Sequence, residues 1–115
     1  MIAVIFEVFV NEEYKQEYLE IAAKIRPKLA QIKGFISIER FQSLSNPGKM
    51  LSISFWENEE ALAQWRNFAD HREAQKRSRE ALFGDYRLRV AAVVRDYSRD
   101  DREQAPEDSR VLTDI

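Results

Sequence analysis

The feature that most constrains the fold is a change of hydrophobic period at Trp56. Before it, Leu51, Ile53 and Phe55 alternate with Ser52, Ser54 and Trp56, which is the two-residue period of a β-strand. Asn58 then offers a helix cap ahead of acidic residues that suit the positive end of a helix dipole. Beyond it, apolar side chains recur at intervals of three and four residues and so share one helical face: Ala61, Leu62, Trp65, Phe68 and Ala69.

A second helix is expected directly after the first. Asp70 followed by Glu73 has the spacing of a capping box, so this helix should begin at Asp70, run to about Phe83 and end at a left-handed Gly84. His71, the single histidine, falls in its first turn, where the helix dipole favours a neutral imidazole. Beside an aromatic cluster such a ring can serve as a base or polarise a small molecule. The alternative is that it only caps the helix or bonds to neighbouring backbone.

The remaining elements follow from the same periodicities. Residues 2–10 are dense in β-branched and aromatic side chains and predict the first strand. A helix is predicted over 12–31, capped by Asn11 and kinked or broken by Pro27 near residues 25–26. Three further strands are predicted, the first two joined by the turn-forming residues 45–48: 35–43, 49–56 and 86–97.

The order β-α-β-β-α-β is that of a ferredoxin-like fold, an α+β domain with a four-stranded antiparallel sheet. Helices on one side cover one face, yet the predicted strands are apolar on both. On this prediction, Val4, Phe6 and Val8 oppose Ile5 and Phe9, and Ile36 and Ile38 oppose Phe35 and Phe41. Soluble monomers rarely expose so large an apolar surface. We therefore expect a homodimer in which two sheets pack face to face.

The size and composition fit one domain. The chain has 115 residues, of which 44% are hydrophobic and 11% aromatic, enough to build a core. We assign residues 1–97 to the domain. Residues 98–115 are acidic and polar without periodicity, and we expect a flexible arm or, through the apolar residues near its end, an arm that docks on a partner subunit.

Several functional classes are disfavoured by composition. The absence of cysteine excludes disulfides, thiolate nucleophiles and cysteine-ligated metals, and the single histidine belongs to no metal-binding spacing, so we expect no metal. Isolated glycines argue against a flavin or nicotinamide site. Basic and acidic residues are interleaved, which argues against nucleic acid. The lack of cysteine also fits a reducing cytoplasm, where we expect the protein. The apolar N-terminus lacks a basic leader and is too short to cross a bilayer as a helix, so no membrane contact is expected.

A set of aromatic and helix-turn positions within residues 1–97 completes the pattern: Gly34-Phe35, Phe55-Trp56, Glu60-Ala61-Leu62, Trp65-Arg66, His71, Ala74-Gln75 and Tyr86. This pattern resembles the antibiotic-biosynthesis monooxygenase family, whose members are small dimeric α/β-barrel proteins. Members of this family differ in activity, so the resemblance implies more than one possible function. Some members oxygenate quinols or anthrones with dioxygen and no metal or flavin, others bind and degrade haem, and many have no assigned activity.

The haem-degrading members use an Asn–Trp–His set, and this sequence matches it poorly. The tryptophan corresponds to Trp65, but the iron-ligating histidine falls on Gln75 and the asparagine falls near Phe6 or Glu7. Glutamine is a poor axial ligand for haem iron. Haem degradation is therefore disfavoured, and no cofactor is expected.

The resemblance instead favours cofactor-independent oxygenation of a small aromatic or quinol-like molecule by dioxygen, with His71 as base or oxyanion partner. Candidate substrate-binding residues divide into aromatic walls and hydrogen-bond donors: Trp56, Trp65, Phe68 and Phe83, and Arg40, Arg66 and Tyr86. Each has a structural alternative as a core or solvated residue. The alternative functions are a non-catalytic small-ligand binding domain on the same dimeric scaffold and, with less support, a haem-binding protein.

Overall fold

The computed structural model describes residues 1–68, 76 and 83–110. Its strands and longer helices are β1 (Ile2–Val10), α1 (Lys15–Leu29), β2 (Phe35–Gln42), β3 (Lys49–Trp56), α2 (Glu59–Arg66) and β4 (Phe83–Ala92). Single turns of 3-10 helix occupy Glu12–Tyr14 and Glu107–Ser109. This order of elements confirms the predicted ferredoxin-like α+β fold.

The four strands form one antiparallel sheet in the order β2-β3-β1-β4. The first strand, β1, therefore lies inside the sheet and pairs with β3 on one side and β4 on the other. Val4, for example, lies opposite Ser54 of β3 and Val90 of β4. Because directly opposed residues point to the same face, this register divides the side chains of all four strands into two sets.

The inner face, which carries Val4, Val8, Met50 and Trp56, is the face that packs against the helices. Two clusters of buried side chains form there. The first joins the sheet to the end of α1 and to α2: Val4, Leu29, Trp56, Ala61 and Trp65. The second joins the sheet to the start of α1: Val8, Val10, Tyr18 and Met50. Burial of these side chains is the main favourable contribution to folding.

Trp56 closes the first cluster and is only 1% exposed. Its indole ring meets the ring of Phe35 edge to face, with centroids 5.2 Å apart. Its Nε1–H donates to Oγ of Ser54 at 3.0 Å, also in the interior. A tryptophan so deeply buried needs an acceptor for its N–H, and the serine two residues earlier on the same face supplies it.

The outer face, which carries Ile5, Glu7, Leu51 and Ile53, lies on the opposite side of the sheet. Glu7 lies at the centre of this face and forms ion pairs with residues of both neighbouring strands. Its carboxylate lies 3.3 Å from Nη1 of Arg89 and 3.8 Å from Nζ of Lys49. The outer face therefore mixes apolar side chains with charged ones, and ion pairs neutralise the acidic residue at its centre.

An irregularity in β2 corrects the predicted arrangement of its side chains. The register between β2 and β3 shifts between Phe35 and Ser37, as at a β-bulge. Phe35 consequently lies opposite Trp56 on the inner face, together with Ile38, which lies opposite Ser54. The prediction that Phe35 shares a face with Phe41 was wrong, because strict alternation cannot anticipate an extra residue.

The last strand begins earlier and ends earlier than predicted. It spans Phe83–Ala92 rather than 86–97. Gly84 lies inside the strand and has no positive φ, so it does not end a helix in a left-handed conformation. The predicted helix from Asp70 itself lies outside the described residues, although its expected end at Phe83 belongs to β4. Within this strand Leu88 and Val90, two residues apart, both lie on the inner face.

The first helix also differs from prediction at its start. Asn11 occupies the cap position before the 3-10 turn, but its side chain accepts no capping hydrogen bond. The α-helix continues through Pro27 to Leu29, so there is no break at residues 25–26. Proline close to the C-terminal end of a helix removes only one backbone bond there. No helix among the described residues is long and apolar enough to span a membrane.

The turn between α1 and β2 depends on Gly34, which has φ of +94°. Its carbonyl oxygen accepts a hydrogen bond from the backbone N–H of Glu57 at 2.8 Å. A Cβ at position 34 would come within 2.7 Å of Cβ of Ala61 on α2. Glycine is required here both for the backbone conformation and for close approach of the turn to α2.

The segment after β4 folds on itself around Arg102. The Arg102 guanidinium donates to the carbonyl oxygens of Ser98, Ser109 and Arg110 and stacks over the Tyr97 ring. Ala105 is buried at 3% exposure in the same segment. Residues 98–110 therefore have local structure, and their role as a flexible or partner-docking arm stays a prediction.

The Trp56–Ser54 bond gives a direct test of the inner core. We expect Ser54→Ala to lower the free energy of unfolding by about 1–3 kcal/mol, because the buried indole N–H loses its acceptor. Urea unfolding followed by tryptophan fluorescence measures this. The control is Ser37→Ala on the exposed side of β2, expected to change stability by less than about 0.5 kcal/mol. Equal effects of the two substitutions would contradict the account of Trp56.

Candidate functional site

The inner face is not uniformly covered by the helices. Its apolar side chains on the edge strand β4 remain half-exposed: Tyr86 at 43%, Leu88 at 49% and Val90 at 46%. Their neighbours on β1, by contrast, are buried or nearly so. An apolar surface on the helix side of a sheet, next to the core and still open, is the usual location of a small-molecule site. We call these three residues the β4 surface.

Phe6 connects the β4 surface to the middle of the sheet. It lies opposite Leu88 on β4 and opposite Ser52 on β3. Its ring centroid is 5.8 Å from that of Tyr86, with the two planes tilted by 35°. This geometry lies within the range for favourable aromatic pairs. The phenol of Tyr86 is thus held at the edge of an aromatic surface.

Trp65 and Phe68 approach from the helices. Trp65 is buried in the first core cluster together with Val4, which lies beside Val90 in the sheet. Its indole stacks on the ring of Phe68, with centroids 5.8 Å apart and planes 19° from parallel. Phe68 remains 37% exposed. The pair therefore offers a flat aromatic surface that begins in the core and ends in solvent.

The position of Trp65 follows from how α2 begins. Oδ1 of Asn58 accepts a hydrogen bond from the backbone N–H of Ala61 at 2.9 Å, which confirms the predicted cap. Starting the helix there places Ala61 and Trp65, four residues apart, on the side facing the sheet. The same rotation leaves Arg66 exposed. Sequence periodicity thus predicted the orientation of α2 correctly.

Arg40 and Ser52 introduce polarity on the inner face. They lie directly opposite one another on β2 and β3. Ser52 is 9% exposed, and Arg40 is half-buried. The Nε atom of Arg40 is buried and has no hydrogen-bond partner in the part of the chain that the structure describes. An arginine at a core-facing position with a dry, unpaired donor is a costly arrangement.

The structure groups the predicted site residues unevenly. Tyr86 belongs to the β4 surface, and Trp65 and Phe68 stack on each other at the end of α2. Trp56 lies in the core and is only 1% exposed. Arg40 lies across the sheet on β2. Phe83 is the first residue of β4, and His71 lies outside the described residues. The contact of any of these side chains with substrate stays a prediction.

Sequence analysis missed Phe6, Leu88 and Ser52 as site residues. In the sequence each is one residue of an alternating strand. Its place in the candidate site depends on which residue lies opposite it in the sheet, and the sequence pattern does not specify this. The signal that could have identified Ser52 is the presence of two serines among the core-facing residues of β3. Within residues 1–68, 76 and 83–110, no cluster of three or more acidic or histidine side chains could hold a metal ion.

Comparison with known proteins agrees with this architecture. The family model described as antibiotic biosynthesis monooxygenase matches residues 1–77. The jasmonate monooxygenase ABM of Pyricularia oryzae is 47% identical over 94 residues, which are 82% of this chain but only 44% of that protein's length.

Two solved structures have the same fold at low sequence identity. A putative antibiotic biosynthesis monooxygenase from Deinococcus radiodurans superposes with a TM-score of 0.77 at 15% identity, covering 85% of this chain and 97% of that one. SnoaB, a cofactor-independent oxygenase from Streptomyces nogalater, gives a TM-score of 0.73 at 13% identity, covering 83% and 94%. Together with the family match over two thirds of its length, these findings show that the chain belongs to the antibiotic biosynthesis monooxygenase family.

Proposed function

We propose that this chain is a monooxygenase domain that adds one atom of dioxygen to a small aromatic or quinol-like molecule without a bound cofactor. The observation that carries the proposal is the β4 surface, a half-exposed apolar area on the helix side of the sheet. Family membership supports the reaction class. SnoaB, which shares the fold, is described as a cofactor-independent oxygenase. Fold alone assigns no reaction, so the proposal depends on the site and on experiment.

The proposed chemistry needs no electrons from the protein. A ring methylene next to an electron-rich phenol loses a proton, and the resulting anion passes electrons to dioxygen. When the methylene becomes a carbonyl, one oxygen atom forms the new C=O bond and the other leaves as water, so that the substrate supplies all four electrons. The protein must bind the flat ring, exclude water and take up the proton.

We assign these tasks to specific side chains. The β4 surface and Phe6 contact the ring, and the Trp65–Phe68 pair supports stacking from the helix side. The Tyr86 hydroxyl donates to a substrate oxygen. His71 acts as the base, as the sequence predicts, while Arg66 remains a candidate hydrogen-bond donor at the exposed side of α2.

A second substrate candidate comes from the relative in Pyricularia oryzae. That protein is called a jasmonate monooxygenase, and the two sequences share 47% identity across 82% of this chain. We therefore propose jasmonate as a substrate to be tested beside quinols and anthrones. Its ring ketone acidifies the neighbouring methylene, and conversion of that methylene to a carbonyl balances in the same way, with one oxygen atom in the new C=O bond, the other in water and all four electrons from the substrate. A binding domain without catalysis is the outcome if none of them is oxidised.

Oxygen consumption tests the reaction class. Purified protein treated with a metal chelator should consume dioxygen with at least one member of a panel of quinols, anthrones and jasmonate. We expect His71→Ala to reduce the rate by about 100-fold or more, the usual contribution of a general base. Tyr86→Phe should reduce it by about 10-fold, because one hydrogen bond to a developing charge is lost.

Tyr97→Phe is the matched control, since Tyr97 lies in the segment after β4 and contacts Arg102. Its rate should equal that of the wild type. A rate that Tyr86→Phe leaves unchanged removes the tyrosine from the mechanism. Absence of uptake with every substrate contradicts the oxygenase proposal, and a Soret band on titration with haem would favour the haem-binding alternative.

We propose further that two copies of the chain pack through their outer faces. Half-exposed aromatic side chains extend that face, with Phe9 at 37% and Phe41 at 44% exposure. The ion pairs of Glu7 with Lys49 and Arg89 neutralise the acidic residue at its centre. A sheet face with half-exposed aromatic side chains of this kind is covered most simply by a second copy related by two-fold symmetry.

Sedimentation equilibrium tests this dimer. The wild-type protein should sediment at twice the mass of one chain, and Phe41→Asp should weaken the dimer by about 10-fold or more by placing a charge in the apolar contact. Leu44→Asp is the matched control, because Leu44 is fully exposed in the β2–β3 turn. A monomeric wild type, or equal weakening by both substitutions, contradicts packing through the outer face.

A further inference from the structure

The position of Arg40 is unusual for a charged side chain. Its cross-strand partner Ser52 faces the helix-covered side of the sheet, so Arg40 faces that side as well. Two residues away on either side in β2, Ile38 and Gln42 share this orientation. Guanidinium stays protonated in proteins, and taking it out of water is costly unless its donors are paired.

The described carboxylates do not pair with Arg40. Glu7 pairs with Lys49 and Arg89, and Asp100 pairs with Arg99. Glu39 precedes Arg40 in sequence but points to the outer face, since it lies opposite Ile53. The buried Nε of Arg40 is thus a donor without an acceptor among the described residues. A ligand oxygen is the simplest missing acceptor.

The inner face beside Arg40 has small side chains where a core would normally have large ones. Ser52 and Ser54 occupy the middle of the face on β3, between Met50 and Trp56. The Ser54 hydroxyl is taken by Trp56. The Ser52 hydroxyl has no such partner in the described residues and lies directly opposite Arg40. Two donors therefore face one another across adjacent strands.

The surroundings of Arg40 are cationic. On α1, Nζ of Lys15 lies 3.4 Å from Oε1 of Gln42, and Nη2 of Arg26 lies 3.4 Å from the carbonyl oxygen of Ile38. These two contacts bracket Arg40 along β2. Lys15 and Arg26 on α1 thus add two positive charges on either side of Arg40, which favours an anion there.

The polar pair and the β4 surface belong to one row of side chains. Across the sheet, Arg40, Ser52, Phe6 and Leu88 are consecutive partners on neighbouring strands. Strands lie about 4.8 Å apart, so the backbones at Arg40 and Phe6 are about 10 Å apart. A ring that contacts Phe6 can therefore carry an oxygen group to Ser52 and the guanidinium.

We propose that Arg40 and Ser52 bind a carboxylate of the substrate, so that this domain prefers ring compounds bearing an acid group over neutral ones. The inference rests on the proposed function for the location of the ring. The planar guanidinium presents Nε–H and one Nη–H in parallel, which matches the two oxygens of a carboxylate. Ser52 adds a third donor from the opposite strand.

Isothermal titration calorimetry tests the preference with two probes of nearly equal shape, 1-naphthylacetate and the neutral 1-naphthylacetamide, at pH 7. The wild-type protein should bind the acetate about 10- to 100-fold more tightly, the usual effect of a charge-assisted hydrogen bond. Arg40→Gln should remove this preference and leave binding of the amide within about 2-fold, because only the contact with the anion is lost.

Three further variants define the contribution of each group. Arg40→Lys keeps the charge without the planar fork and should retain part of the preference. Ser52→Ala should reduce acetate binding by about 3- to 10-fold, because one neutral donor is lost. Arg99→Gln is the control, since that arginine is 92% exposed in the segment after β4, and it should bind as the wild type does. If circular dichroism shows Arg40→Gln unfolded, Arg40→Lys and Ser52→Ala decide the result.

Equal affinity of the wild type for the two probes, including no measurable binding of either, overturns the inference. A preference for the acetate that persists in the Arg40→Gln variant also overturns the inference. The binding readout is independent of catalysis. If the acetate preference depends on Arg40 but the protein consumes no oxygen, the carboxylate site is supported and the oxygenase proposal is contradicted. If the protein consumes oxygen but shows no acetate preference, the oxygenase proposal is supported and the carboxylate site is contradicted.

Discussion

The whole structure depends on β1 lying inside the sheet. Because β1 pairs with β3 on one side and β4 on the other, its side chains form the middle of both faces of the sheet. Val4 and Val8 build the helix-covered core, while Ile5 and Phe9 point to the opposite side. The rest of the structure depends on what covers each face of the sheet.

The inner face is completed by α1 and α2 over β1 and β3, and less completely over β4. The β3 side and the β4 side of the inner face therefore differ in role. Trp56, with its N–H bonded to Ser54, closes the interior on the β3 side. The β4 surface stays open to solvent and offers apolar contact next to that interior. A ring bound there would contact the core on one side without displacing it.

The sequence predicted the strands well where one alternating pattern ran uninterrupted, as in β1 and β3, and it predicted α2 because Asn58 and the spacing of Trp65 both signal a helix. The prediction failed where a local irregularity shifted the alternation of side chains between the two faces. The bulge after Phe35 reversed that residue's face, and Gly84, which looks like a helix end, lies within a strand. The partners of Ser52 and Leu88 depend on register between distant strands, which the pattern within one strand does not specify. Trp65, Phe68 and Tyr86 were therefore predictable from sequence as candidate site residues, whereas Phe6 and the pairing of Arg40 with Ser52 were not.

The central claim is that ring ligands bind on the inner face, over β4. Methyl-labelled NMR during titration with 1-naphthylacetate tests it most directly, because leucine, valine and isoleucine methyl groups lie on both faces. The account predicts shift changes at Leu88 and Val90 and unchanged signals from Leu51 and Ile53 on the outer face. Changes confined to Leu51 and Ile53 would contradict the account and place the ligand on the opposite side of the sheet.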